Sequence, residues 1–329
     1  MDGLFGLKQL LLTFLIFVPI ERLFAARPQK IFRHGLLTDM AFLFLNGWLV
    51  LVGQLAIVAA AVLVNQSILP SAVTQTINDL PYLVQAPLVI VIGDLGVYWA
   101  HRTLHVVPAM WHMHAVHHAV EELDWLAAVH QHPLDLIVMK AGSLFPLFAL
   151  GFSAEAIGTY FLVYYWQAYL VHANVRLSYG PLRYVLVSPE FHHWHHSSEI
   201  EARDKNYAGI FSFYDLLFGS VYLPKGQKPK TFGVDNPMPT NYLALLAYPF
   251  VTWYRSMDAT IHRTHGVRGD EREVQTTLID DARLRRPPLD LSRLRRAFRL
   301  NVQVWRTSRM HPGSIACVVA RLAMRQRAA

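Results

Sequence analysis

Long apolar runs separated by short polar stretches fill the first half of the chain. Residues 40–65, MAFLFLNGWLVLVGQLAIVAAAVLVN, contain no charged side chain, and Asp39 stands just before them. A helix of that length crosses a bilayer with some tilt. Residues 4–20, LFGLKQLLLTFLIFVPI, form a second candidate, weakened by Lys8. No small-residue cleavage site follows, so a membrane helix is expected there in preference to a signal peptide. A third span, residues 83–100, carries one acid, Asp94. Two more runs, 134–151 and 154–171, flank Gly151-Phe152-Ser153. Ser153 suits an N-cap, which predicts a helical hairpin, with Lys140 near its start placed to snorkel to the interface. The aromatic run 241–254 is too short to span and is expected in the interface or packed on the polar part.

Composition agrees. Apolar residues make up 53% of the chain and charged ones 16%, against roughly 25% charged in a soluble globule. The deficit points to lipid contact. Basic residues set the orientation: loop 21–39 holds Arg22, Arg27, Lys30 and Arg33, loop 66–82 holds none, and residues 173–329 hold 23 of the 30. The positive-inside rule places loop 21–39 and the C-terminal half in the cytosol. The third span then ends inside at His101, and the hairpin returns inside at His172. The expected fold is all-α: a polytopic integral membrane protein with about four to five membrane-embedded helices and a cytosolic, histidine-rich helical cap. Its expected parts are N-terminal transmembrane helices (1–82), a catalytic region (83–225) and a basic cytosolic C-terminal region (226–329). Cys317 is the lone cysteine, which excludes intramolecular disulfides, four-cysteine clusters and thiolate zinc sites.

Histidine supplies the chemistry. Thirteen of the 17 histidines lie between residues 101 and 196. His101 and His105 are four apart; His114, His117 and His118 form H-x-x-H-H; His192, His195 and His196 repeat it in SPEFHHWHHS. Helical positions three and four apart share a face, so each cluster is expected to aim its imidazoles at one point. Eight converging neutral imidazoles imply a metal site, for which zinc, copper, iron and nickel are all suited. Eight ligands exceed the needs of one ion, so two ions are implied. Asp94, Asp124, Asp135, Glu190 and Asp215 are candidates to orient the rings by accepting their other N–H; Asp94 is alternatively placed to bond Tyr98. His193, His112 and His130 are expected outside the ligand set, and His34, His262, His265 and His311 at the surface.

The words DLGVYWAHRTLH, WHMHAVHH, QHPLD, HANV, SPEFHHWHH and NYAGIFSFYDLLFGS, in that order over roughly residues 90–225, resemble the fatty acid hydroxylase / sterol desaturase superfamily. That resemblance implies a membrane-embedded non-haem di-iron oxygenase, which uses O2 and two electrons to hydroxylate or desaturate a lipid. It implies that His101, His105, His114, His117, His118, His192, His195 and His196 are ligands of two iron ions, which zinc can replace on isolation. It adds His172 as a ligand, and gives His132 a supporting place beside them. The lipid-hydroxylase branch has a further histidine where this chain has Ala168, so an open coordination position with Gln167 or a water nearby is expected. Ala119 and His130 also depart from the family pattern.

No flavin or dinucleotide fingerprint accompanies the histidines, so an external ferredoxin or cytochrome is expected as electron donor. Residues 255–329 carry 16 basic and 7 acidic residues; they read as a tail held by anionic lipid or as a docking face for an acidic carrier. Within it, 285–296 reads as a linker and 301–310 and 314–326 as short amphipathic helices. No nucleic-acid module accompanies this charge. A bacterial inner membrane, with the site facing the cytoplasm, is the expected location. The competing reading is a histidine-rich metal-binding or transport protein, against which stands the position of the ligands past the end of a span. Sterol, fatty acyl, ether lipid and carotenoid substrates all remain open, as does the oligomeric state.

Overall fold

The chain is described from a computed structural model that covers residues 3–264; the expected linker and two amphipathic helices of the basic tail lie outside the described residues, as do His265, His311 and Cys317. Ten α-helices follow one another: α1 (Gly3–Leu23), α2 (Leu36–Ser67), α3 (Ser71–Asn78), α4 (Tyr82–Val106), α5 (Pro108–His118), α6 (Pro133–Leu150), α7 (Ala154–His172), α8 (Pro189–His195), α9 (Phe213–Phe218) and α10 (Tyr242–Thr264). The described residues contain no strand, only isolated bridges at Ala25–Val175 and Ser197–Phe232. The fold is all-α, as expected.

Among the described residues three helices, α2, α4 and α6, are long and apolar enough to cross a membrane. Their exposed side chains include Leu45, Trp48, Leu49, Val52 and Leu55 on α2, a surface suited to lipid. The protein is an integral membrane protein. The expected hairpin is present. Gly151 closes α6 in the left-handed conformation at φ 86°, and the Ser153 hydroxyl accepts from the Ala156 amide to open α7. Four tyrosines, Trp166 and Gln167 make α7 less apolar than its partner. The 66–82 connection holds a helix, α3, that no apolar run announces. The 241–254 run extends into α10, which packs on α5 and α2, with the Trp253 indole N–H donating to Ala109 O.

Packing sets helices α2, α4 and α6 side by side, with α7 against α4. Small residues bring α4 and α6 into backbone contact. A Cβ on Gly142 would lie 2.5 Å from Gly96 O and 2.7 Å from the Ala100 methyl. Such close approach is a common way for helices to pack in lipid, where the hydrophobic effect does not drive association. It fixes the height of α6 against α4, and with it the placement of the residues at their polar ends.

Gly142→Leu is therefore expected to separate α4 from α6 and to lower the detergent melting temperature sharply. Gly142→Ala should cost about 1–3 kcal/mol through overpacking. Gly158→Ala, where a Cβ meets open space, should be neutral in the same melts.

Candidate metal centre

The histidines reach the centre from four helix ends. His101 and His105 sit on the last turns of α4. Val107 is extended and Pro108 opens α5 at its first position, so α5 starts afresh and carries His114, His117 and His118 back over the end of α4. His172 is the last residue of α7. Ser188 caps α8 through its hydroxyl, which accepts from the Phe191 amide, and Pro189 follows at the first helical position. Helix α8 presents His192 and His195, with His196 as its C-cap.

The nine rings, all buried, form two groups: His101, His105, His114, His118 and His195; and His117, His172, His192 and His196. Within each group one nitrogen per ring lies within 4.8 Å of the others. The Nε2 atoms face one another, with His101–His114 at 2.9 Å, His118–His195 at 3.0 Å, His172–His192 at 3.0 Å and His192–His196 at 3.1 Å. The groups adjoin, since the His118 and His196 rings stack at 4.6 Å. The expectation of one target per H-x-x-H-H cluster is corrected: each cluster serves both groups. Helical geometry explains the division. Position i+4 lies about 40° round the axis from i, and i+3 about 60° the other way. His114 and His118 therefore stay together and His117 diverges; His192 and His196 stay together and His195 diverges.

The opposite ring nitrogens are held from outside. Nδ1–H of His101 donates to Tyr207 O at 2.7 Å, that of His195 to Lys205 O at 2.8 Å, that of His117 to His130 O at 3.1 Å and that of His172 to Ala168 O at 2.7 Å. Carboxylates back two more: Asp135 takes His114 Nδ1 at 3.0 Å, and Asp204 lies 3.5 Å from His105 Nδ1. A ring that spends its proton on Nδ1 presents a lone pair at Nε2. Facing lone pairs repel unless a cation lies between them. This donor set fits two metal ions of the kind that imidazole binds. Burial and neighbouring imidazoles hold His117, His118, His192 and His196 well below 6.5, and His195 down to about 3. Those five rings are thus neutral at physiological pH, as ligation requires.

A rigid loop supplies the carbonyls. Asp204 and Asn206 have positive φ, 55° and 60°, a conformation that Asp and Asn tolerate. Asn206 fixes the turn by donating to Phe191 O and Tyr222 O and accepting from the Tyr222 amide. Asp215 accepts from the Tyr207 and Ala208 amides and from the Ser220 hydroxyl. Asp94 accepts from the amides of Gly209, Ile210 and Phe211. Both readings of Asp94 are thereby corrected: it touches neither an imidazole nor Tyr98, whose hydroxyl pairs with Ser220 and accepts from Arg102. It acts through the loop. On the other side Arg33 lies between Asp124 and Asp39, at 2.7 and 2.5 Å, and Asp39 also accepts from His130 Nδ1. That ion-pair hub fixes the turn whose His130 carbonyl anchors His117.

Two other expected supports serve elsewhere. His132 is not against the ligand rings: its Nδ1 accepts from the Leu134 amide to cap α6, and its Nε2–H donates to Leu246 O. Gln167 is turned away as well, donating to Val187 O. Of the candidate acids, Asp135 meets an imidazole of the groups, Asp124 meets Arg33, and Glu190 bonds no imidazole. His193 donates to Ala173 O and stays outside both groups, as expected. Backbone carbonyls, which no side-chain pattern marks, hold four of the nine rings.

A cavity of about 490 Å³ opens beside the groups. His101, His114, His117, His172 and His192 line it. Apolar side chains of α2, α6 and α7, such as Phe42, Val50, Met139 and Phe161, form its walls, and Ala168 lines it beside His172.

Residues 86–220, which carry all nine histidines, match the fatty acid hydroxylase family. This segment belongs to that family. The chain is 31% identical over 170 residues to the ornithine lipid hydroxylase OlsE of Rhizobium tropici, covering 52% of this chain and 51% of that protein. It is 31% identical over 152 residues to the alkylglycerol monooxygenase of Homo sapiens, covering 45% and 32%, and 29% identical over 177 residues to that of Danio rerio, covering 49% and 36%. The chain thus spans about half the length of the first relative and about a third of the other two. No solved structure matches it.

The depressed ring pKa values fix the sign of a pH effect. In the unfolded chain these imidazoles take up protons near pH 6.5; in the fold they do not. Below that pH the unfolded state binds more protons, so acid destabilises the metal-free protein by about 1.4 kcal/mol per pH unit per ring. The melting temperature of metal-free protein should fall steadily from pH 7.5 to pH 5. A flat profile would mean the rings are solvated.

Proposed function

We propose that the chain is a membrane-bound di-iron oxygenase that places a hydroxyl group on an unactivated carbon of a lipid. The observation that carries this reading is the opening of two adjoining groups of buried imidazoles, five and four, onto an apolar cavity. His101, His105, His114, His118 and His195 would hold one iron, and His117, His172, His192 and His196 the other. Iron bound there would supply the O2 chemistry that no side chain performs. The protein's own part is positioning. Fixed carbonyls and carboxylates aim the rings, and burial excludes water. The cavity walls hold an acyl or isoprenoid chain against five of the rings.

The balance is one C–H bond, O2, two electrons and two protons going to an alcohol and water. The relatives' names, a hydroxylase and monooxygenases, favour hydroxyl insertion over desaturation. Electrons would come from a separate ferredoxin or cytochrome, which docks on the polar side. Residues 83–225 would carry catalysis, between the membrane helices of 1–82 and the basic region 226–329. The bacterial relative fits a bacterial inner membrane, with basic loop 21–39 and the metal groups facing the cytoplasm.

The test is metal content and O2 uptake of protein purified without chelators. Two irons per chain are expected, with reductant-dependent O2 consumption and host lipids heavier by one oxygen atom. Metal binding without O2 uptake would favour a storage or transport role. His105→Ala and His172→Ala should each lose about one of the two ions, from different groups, and abolish turnover, since a ligand change typically costs far more than the 10–100-fold of an outer contact.

A further inference from the structure

The cavity wall contains one charged side chain, Lys140 of α6, and no carboxylate. Among the described residues the ammonium makes no hydrogen bond and no ion pair; its recorded neighbour is the Phe161 ring, 5.4 Å from Nζ to the centroid. A cation within a membrane helix is costly and normally finds a partner. Arg33 shows what a structural cation looks like here, with a carboxylate on each side. Lys140 is instead half-buried and lines the cavity, where snorkelling to the interface would have taken it away.

We propose that Lys140 is a specificity-determining residue, which binds an anionic group, a carboxylate or a phosphate, on the lipid that enters the cavity. The proposal rests on the oxygenase reading of the same site. Lys140 is five residues beyond Asp135, the acceptor of His114, or about 7.5 Å along the helix axis, so the anion is held in the cavity apart from the rings.

Calorimetry on the metal-loaded protein in an uncharged maltoside detergent tests this with three probes of one chain length: palmitate, 1-palmitoyl-lysophosphatidate and hexadecanol. Wild-type protein should bind at least one anion at least about tenfold more tightly than the alcohol, the worth of a charge-assisted contact out of water; whichever anion wins names carboxylate or phosphate. Lys140→Met should lose that preference while keeping its metal and its affinity for hexadecanol, and Lys140→Arg should retain the preference. Wild-type protein that binds the alcohol as tightly as both anions overturns the proposal whatever the variants do, as does a preference that survives in Lys140→Met. Binding needs no turnover, so the two readings fail separately. O2 uptake without anion preference removes the lysine site alone, and anion preference without O2 uptake removes the oxygenase reading alone.

Discussion

The hydrogen bond from a histidine Nδ1–H to a fixed acceptor is the contact on which the rest of this structure depends. Made five times, with four carbonyls and one carboxylate, it decides which nitrogen of those rings carries the proton and which carries the lone pair. Without it the rings could rotate or change tautomer and pair with one another. With it, Nε2 atoms meet at distances near 3 Å, a geometry that neutral imidazoles hold only when the surrounding packing compels them. The fold supplies that compulsion through backbone that is itself held at both ends.

The supports are unusually indirect. Asp94 is a carboxylate within a membrane helix, and its oxygens go to three consecutive amides. Charge-assisted bonds of this kind are stronger than neutral ones. They stitch the loop bearing the Tyr207 carbonyl to the helix bearing His101, so that donor and acceptor of one hydrogen bond share a rigid frame. Asp215 ties the same loop, two residues earlier, to α9. The Gly96–Gly142 contact plays the matching part for α6, setting Asp135 level with His114. Lipid-facing helices, loop and metal groups are thus one mechanical unit, and a change in helix packing deep in the apolar layer alters the aim of the rings at its edge.

Much of this was legible in the sequence. Long apolar runs announce α2 and α4 because apolar length is nearly all that a bilayer asks of a helix, and the Gly-Phe-Ser break marks the hairpin through ordinary capping chemistry. The histidine set is legible because imidazoles at three- and four-residue spacing must share a helical side. What stayed hidden depends on three dimensions. Which ring of each H-x-x-H-H joins which group follows from how α5 and α8 cross the ends of α4 and α7. The carbonyl anchors are invisible because every residue has a carbonyl. Asp94, His132 and Gln167 stand close to the ligands along the chain, yet each finds a nearer partner in an amide or a carbonyl left open by a helix end or a turn. Chain proximity to a metal ligand is a weak guide to contact when backbone groups compete for the same side chain.

The two donor groups are unequal, and the inequality has a direction. Carboxylates stand behind two rings of the five-membered group, Asp135 behind His114 and Asp204 behind His105, and a carboxylate at Nδ1 makes the far nitrogen a stronger donor. The four-membered group has carbonyls alone behind His117 and His172, and the Nδ1 atoms of His192 and His196 are buried without a partner. That weaker, less constrained group provides three of the five rings that line the cavity, and it lies beside Ala168, whose methyl leaves room where a longer side chain would reach. On the proposed reading the five-ring group would hold its ion the more firmly, and the four-ring group would leave a direction open toward the cavity. An arrangement meant to store or pass on metal has no use for an open direction aimed into an apolar cavity. One meant to act on a C–H bond needs it there, on the side where the chain lies and away from water.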